Sequence, residues 1–154
     1  MSDLTHASSL VVRSTPEALY ELVSDVTRTG EWSPVCRACS WDDGGSARVG
    51  ATFTGRNEVP GRTWETRSQV VVADPGREFA WVVGEGYVRW AYSLEPVDEG
   101  VRLTESWEFL PEGIARFHRV YGEDAERQIA DRIRMAHEGI PATLAAIKAI
   151  AEAG

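Results

Sequence analysis

Between Thr52 and Phe109 the chain is cut into short runs by four turn signals, Pro60-Gly61, Pro75-Gly76, Glu85-Gly86 and Asp98-Glu99-Gly100. Regular turns between short alternating runs predict an antiparallel meander. Counting outward from the turns sets Asn57 against Trp64, Phe53 against Ser68, Val72 against Phe79 and Val70 against Trp81. It also sets Trp81 against Trp90 and Phe79 against Tyr92, then Leu94, Tyr92 and Trp90 against Leu103, Glu105 and Trp107. Directly opposed residues share one face of a sheet. One face therefore gathers Phe53, Gly55, Asn57, Trp64, Ser68, Val70, Phe79, Trp81, Val88, Trp90, Tyr92, Leu94, Leu103, Glu105, Trp107 and Phe109. The other gathers polar residues such as Thr52, Thr54, Arg56, Glu58, Arg67, Arg89, Arg102 and Glu108. A one-residue slip at any turn would mix the two sets. Pro-Gly is not the favoured two-residue hairpin connection, so longer loops of the same parity fit the count equally well.

The flanks complete the architecture. Ser8–Arg13 reads as a first strand. Thr15-Pro16-Glu17 starts a helix, with Thr15 as N-cap and Pro16 at the first helical position, and that helix ends near Ser24-Asp25. Val35–Trp41 reads as a second strand. After Pro111 an apolar stripe recurs every three or four residues through Phe117, Tyr121, Ala125, Ile129, Ile133, Ala136, Ile140, Leu144, Ile147 and Ala151, which predicts a long amphipathic helix. Gly139-Ile140-Pro141 should kink or break it. A sheet of about seven strands with one apolar face, and one long striped helix, satisfy each other when the sheet curls around the helix. The expected fold is thus α+β, a single domain over residues 1–154, with space left between sheet and helix where ligand pockets commonly form.

Bulk properties narrow the function. A chain of 154 residues buries about 70% of its extended surface and needs no disulfide or metal to fold. Its formal net charge of −8 argues against nucleic acid, whose binding rests on a Lys/Arg field, and against anionic membrane surfaces. No apolar run approaches the ~20 residues of a membrane span. The opening MSDLTHASS has no leader-like basic and apolar regions, so cytoplasm is the expected compartment. Six Trp in one small domain is unusual, because each indole carries an N–H that needs a partner when buried.

Candidate site residues come from the apolar face. Trp64, Trp81, Trp90 and Trp107, with Trp32, Phe53, Tyr92, Phe109 and Tyr121, are expected to touch a ligand, some of them also packing on the helix. Asn57 either orients a ligand carbonyl or hydroxyl or satisfies backbone at a strand end. Glu105 is the titratable group on the apolar face: burial would raise its pKa and make it an acid or base at neutral pH. Its alternative is a structural carboxylate bonded to an indole N–H or an arginine. His118, near the start of the terminal helix, is a candidate proton donor or gate, against the plainer reading of an exposed histidine. Cys36-Arg37-Ala38-Cys39 stands alone as a C-x-x-C: His6, His118 and His137 are scattered, and strand residues three apart point to opposite faces, so redox or metal chemistry is disfavoured. No cofactor is expected.

The order of strand, T-P-E-A-L-Y-E-L-V-S-D helix, six-strand meander and long terminal helix resembles the SRPBCC, or START-like helix-grip, superfamily, which includes START lipid-transfer domains, the birch-pollen allergen family and bacterial polyketide cyclases. G-A-T-F-T-G-R-N at Gly50–Asn57, G-R-T-W at Gly61–Trp64, R-E-F-A-W at Arg77–Trp81, W-A-Y-S-L-E-P at Trp90–Pro96 and L-T-E-S-W at Leu103–Trp107 are similar to its actinobacterial polyketide cyclase/dehydrase-like branch. The resemblance implies a helix-grip fold whose central cavity takes a hydrophobic small molecule, lipid- or polyketide-like. It leaves open a carrier, a cyclase or dehydratase using Glu105 and His118 to move protons, and an interaction module or homodimer joined through a sheet edge or exposed aromatic patch.

Overall fold

The computed structural model describes residues 4–154; Met1–Asp3, part of the stretch read as lacking a leader, lie outside them. Strands β1 (Thr5–Val12), β2 (Cys36–Trp41), β3 (Thr52–Val59), β4 (Arg62–Asp74), β5 (Glu78–Val83), β6 (Val88–Val97) and β7 (Gly100–Phe109) form one antiparallel sheet in the order β1-β7-β6-β5-β4-β3-β2. Helices α1 (Pro16–Val23), α2 (Pro111–Tyr121) and α3 (Ala125–Ala153) complete the domain. The expected helix-grip architecture is present, with α3 packed on β1 and β7. Thr15 caps α1 by accepting the Ala18 N–H at 3.1 Å, with Pro16 in the first turn.

The counted register holds across three of the four turns. Asn57 faces Trp64, Trp81 faces Trp90, Tyr92 faces Glu105 and Leu94 faces Leu103. Pro60-Gly61 does form a two-residue connection, Gly61 taking the positive φ of 82° that its missing side chain permits. The Pro75-Gly76 hairpin departs from expectation. Its loop holds three residues, Pro75–Arg77, so Phe79 opposes Ala73 instead of Val72. A bulge at Val71 then restores Val70 opposite Trp81. Val71, the extra residue, is 37% exposed.

The helical end also differs. Pro141 does not break α3, which runs unbroken to Ala153. Both His137 and Pro141 are exposed, so the backbone group deprived of its donor lies on the side of the helix open to water, where the loss is tolerated. The break falls earlier, at Gly122, whose φ of 56° ends α2 before a single 3-10 turn leads into α3. Beneath the sheet, Leu19, Phe79, Leu103, Ile140, Leu144 and Ile147 are almost fully buried in one cluster. Among the described residues, no helix is long and apolar enough to cross a membrane.

Candidate functional site

A cavity of about 520 Å³ lies between the concave face of the sheet, α3 and the α2 end. That volume suits a small organic ligand. Period-two alternation delivers its wall: Phe53 from β3, Trp64 from β4, Phe79 and Trp81 from β5, Trp90 and Tyr92 from β6, and Glu105, Trp107 and Phe109 from β7 all face it. Trp32, at the end of the 3-10 segment Val26–Glu31, closes one side, and Phe117 and Tyr121 of α2 close another. The rings form two connected sets. Trp81 lies parallel to Trp90 at 6.4 Å between centroids and tilts onto Tyr92 at 5.7 Å, while Phe109, Phe117 and Tyr121 follow edge to face.

Polar groups in this wall are few and mostly engaged. The Asn57 amide donates to the Trp64 carbonyl at 3.4 Å and the Thr66 hydroxyl at 3.2 Å, so its N–H groups brace the β3–β4 hairpin. Burial, with Glu105 beside it, pushes the Tyr92 hydroxyl pKa well up. Glu105 is different. Its side chain is 4% exposed and its Oε1 is without a hydrogen-bond partner. Burial raises its pKa from 4.5 to about 8, so at neutral pH it is a neutral acid with a proton to give.

Three features escaped sequence reading. Arg132 of α3 reaches the cavity, its guanidinium 5.9 Å from the Trp64 ring and 5.2 Å from Phe117. Arg62 covers Trp64 at 4.3 Å. Burial, then repulsion from Arg62, presses the Arg132 pKa downward. Arg132 could have been found in the sequence, because it stands three residues after Ile129 and four before Ala136, on the apolar stripe. Third, both cysteines line the cavity, against the expectation that they point apart. Arg37 is an extra residue in the β2–β3 ladder, so Cys36 opposes Asn57 and Cys39 opposes Gly55, both inward positions.

His118 is exposed on α2 and does not line the cavity, because Phe117 and Tyr121 occupy the inward face of that helix. The histidines are also less scattered than their spacing suggested: His6 and His137 stack at 4.0 Å. Among the described residues no cluster of three His, Cys, Asp or Glu side chains suited to a metal occurs.

Comparison with known proteins gives a consistent picture. The family model described as polyketide cyclase / dehydrase and lipid transport matches residues 5–144. The solution structure of the Polyketide_cyc-like protein Cgl2372 from Corynebacterium glutamicum is 52% identical, with a TM-score of 0.72 over 97% of this chain and 91% of that one. The di-domain ARO/CYC StfQ from the steffimycin biosynthetic pathway shares the fold at 16% identity and TM-score 0.72, over 97% of this chain and 51% of that one. A second di-domain ARO/CYC, BexL from the BE-7585A biosynthetic pathway, matches at 15% identity and TM-score 0.68, over 99% of this chain and 52% of that one. No curated protein is significantly similar to the chain.

Proposed function

We propose that this chain, which belongs to the polyketide cyclase / dehydrase and lipid transport family, binds a small amphipathic molecule with an apolar or aromatic body and an anionic end. The cavity carries this reading. Its wall is largely aromatic, its buried carboxyl Glu105 is neutral near pH 7, and two guanidinium groups, Arg132 in the wall and Arg62 beside it, both lie against the Trp64 ring. The Arg132 side chain is only 18% exposed, and its nearest carboxylate, Asp131, is shared with Arg134. Two like charges pressed together at a half-dry rim favour an anion that bridges them. Flat rings would stack on Trp81 and Trp90, whose planes lie within 16° of each other.

Tryptophan fluorescence tests the reading directly. Titration with polycyclic and long-chain carboxylic acids should give saturable changes, and the methyl ester of the best acid should bind about tenfold more weakly. Arg132→Met should erase most of that difference while leaving the ester unaffected. Equal binding of acid and ester would remove the anionic end from the proposal. No response to any compound would remove the ligand.

A second reading has a specific observation behind it. A pure carrier has no use for a desolvated, unpartnered carboxyl, whereas a cyclase or dehydratase uses one as a proton donor near neutral pH. If Glu105 moves protons, Glu105→Gln will abolish turnover of a polyketide-like substrate and preserve its binding. Unchanged turnover leaves the carrier.

A further inference from the structure

The two cysteines occupy positions that neither ligand binding nor proton transfer uses. Opposite them on β3, Gly55 offers no side chain: a Cβ there would sit 3.4 Å from the Cys36 Sγ and 3.7 Å from the Cys39 Sγ. One point of the cavity wall therefore touches both sulfurs. Their strand partners Asn57 and Gly55 are two residues apart, which corresponds to about 6.6 Å along a strand. That lies within the Cα separation, ~4.4–6.8 Å, that a disulfide spans. Both side chains are half-buried and line the cavity, and the chain has no other cysteine.

We propose that Cys36 and Cys39 form a dithiol site that reduces an apolar organic hydroperoxide entering the cavity, becoming an intramolecular disulfide. The Cys36 sulfur attacks the terminal peroxide oxygen, forming the S–O bond as the O–O bond breaks. The alkoxide leaves as an alcohol after taking a proton, and Cys36 is left as sulfenic acid. The Cys39 sulfur then attacks the Cys36 sulfur, the S–S bond forms, and hydroxide leaves with the Cys39 proton as water. In sum, two thiols and one hydroperoxide give one disulfide, one alcohol and one water. A small thiol in excess restores the pair by exchange.

The roles of the two sulfurs follow from their surroundings. The Cys36 Sγ lies 3.4 Å from the Ala38 carbonyl oxygen, and the interaction between the two neighbouring thiols lowers the pKa of Cys36 while raising that of Cys39. Cys36 is the better anion and hence the attacking group; Cys39 holds its proton until the second step. The bulge at Arg37 makes the arrangement possible, because a regular strand would send one of the sulfurs to the convex face.

The experiment uses the full chain, reduced and freed of reductant, with cumene hydroperoxide as the probe. Intact mass should fall by two hydrogens with one equivalent of cumyl alcohol released, and excess dithiothreitol should reverse it. Cys39→Ser should stop at a Cys36 sulfenic acid that dimedone traps, while Cys36→Ser should release no alcohol. Far-UV and near-UV circular dichroism of both isosteric variants would verify that they fold. Because the apolar ring is taken up by the cavity wall, cumene hydroperoxide should react about tenfold faster than hydrogen peroxide. An unchanged mass, a disulfide formed only between chains, or equal alcohol release from Cys36→Ser would overturn the site. Equal rates with the two peroxides would overturn the cavity as the entry route.

Discussion

Replacing Glu105 by glutamine should remove the loss of stability that this carboxyl imposes on the native protein between about pH 4.5 and about pH 8. Burial is what lifts the Glu105 carboxyl to about 8. Between those limits the folded chain keeps a proton that the unfolded chain has already released, so unfolding free energy falls as pH rises. Below the lower limit both states are protonated and the contribution is whole. Above the upper limit both are ionised and the loss is complete. At about 1.4 kcal/mol per unit of displacement, the loss is on the order of 5 kcal/mol. Every other titrating group is common to both proteins and cancels in their difference. Urea unfolding near pH 4 and near pH 9 should therefore show Glu105→Gln gaining on the native chain by several kcal/mol at the alkaline end. A gap that stays constant within about 1 kcal/mol across that range would mean the carboxyl is hydrated or paired after all.

Gly113→Val should cost about 3 kcal/mol, or roughly 6–12 °C in Tm for a domain of this size. Gly113 sits in the first turn of α2, where a Cβ would lie 2.2 Å from the Tyr87 carbonyl oxygen and 2.8 Å from the Phe109 ring. Neither neighbour can yield easily: the carbonyl accepts the Leu110 N–H at 2.9 Å, and Phe109 is wedged against Trp107 and Phe117. The helix would have to lift from the β5–β6 connection, taking Phe117 and Tyr121 out of the cavity wall, so ligand-induced fluorescence change should fall with stability. Gly139→Ala is the contrast. Its Cβ would meet only the Pro34 ring, at an ordinary 3.6 Å, and alanine favours a helix by about 1 kcal/mol over glycine. Equal behaviour of the two variants would show that close packing at Gly113 is not what holds α2 down.

The inward face was legible because parity is cumulative: four turns had to agree, and Trp64, Trp81, Trp90, Tyr92, Glu105 and Trp107 could share a face in one register only. Bulges were not legible. A bulge leaves no residue type behind, and Val71 and Arg37 look like ordinary strand residues. The first cost only the partner of Phe79. The second reversed the reading of Cys36, since one inserted residue changes which face every earlier position takes. Helix interruption was misplaced for a related reason. Proline carries a known local penalty, but whether it ends a helix depends on which side faces water, and Pro141 faces it. Gly122 needed the tertiary fold to explain it: the sheet turns α2 across the cavity, and the chain must change direction there before α3 can run beneath β1 and β7. By residue type Arg62 and Arg132 were not legible as site residues, because a cation becomes a neighbour of the cavity only where rings such as Trp64 and Phe117 offer it a π-face.

The place of β7 between β1 and β6 bears on how the molecule is assembled. Thr5 pairs with Glu108 and Val12 with Val101, so β1 finds its partner only after the whole meander exists. Hairpins β3 to β7 close over short loops and can zip sequentially, whereas β1 must wait for the loop from Val12 to Val101 to shut. Until then one side of β7 is an unpaired ladder, and the protein carries an open edge beside the strand that bears Glu105 and Trp107.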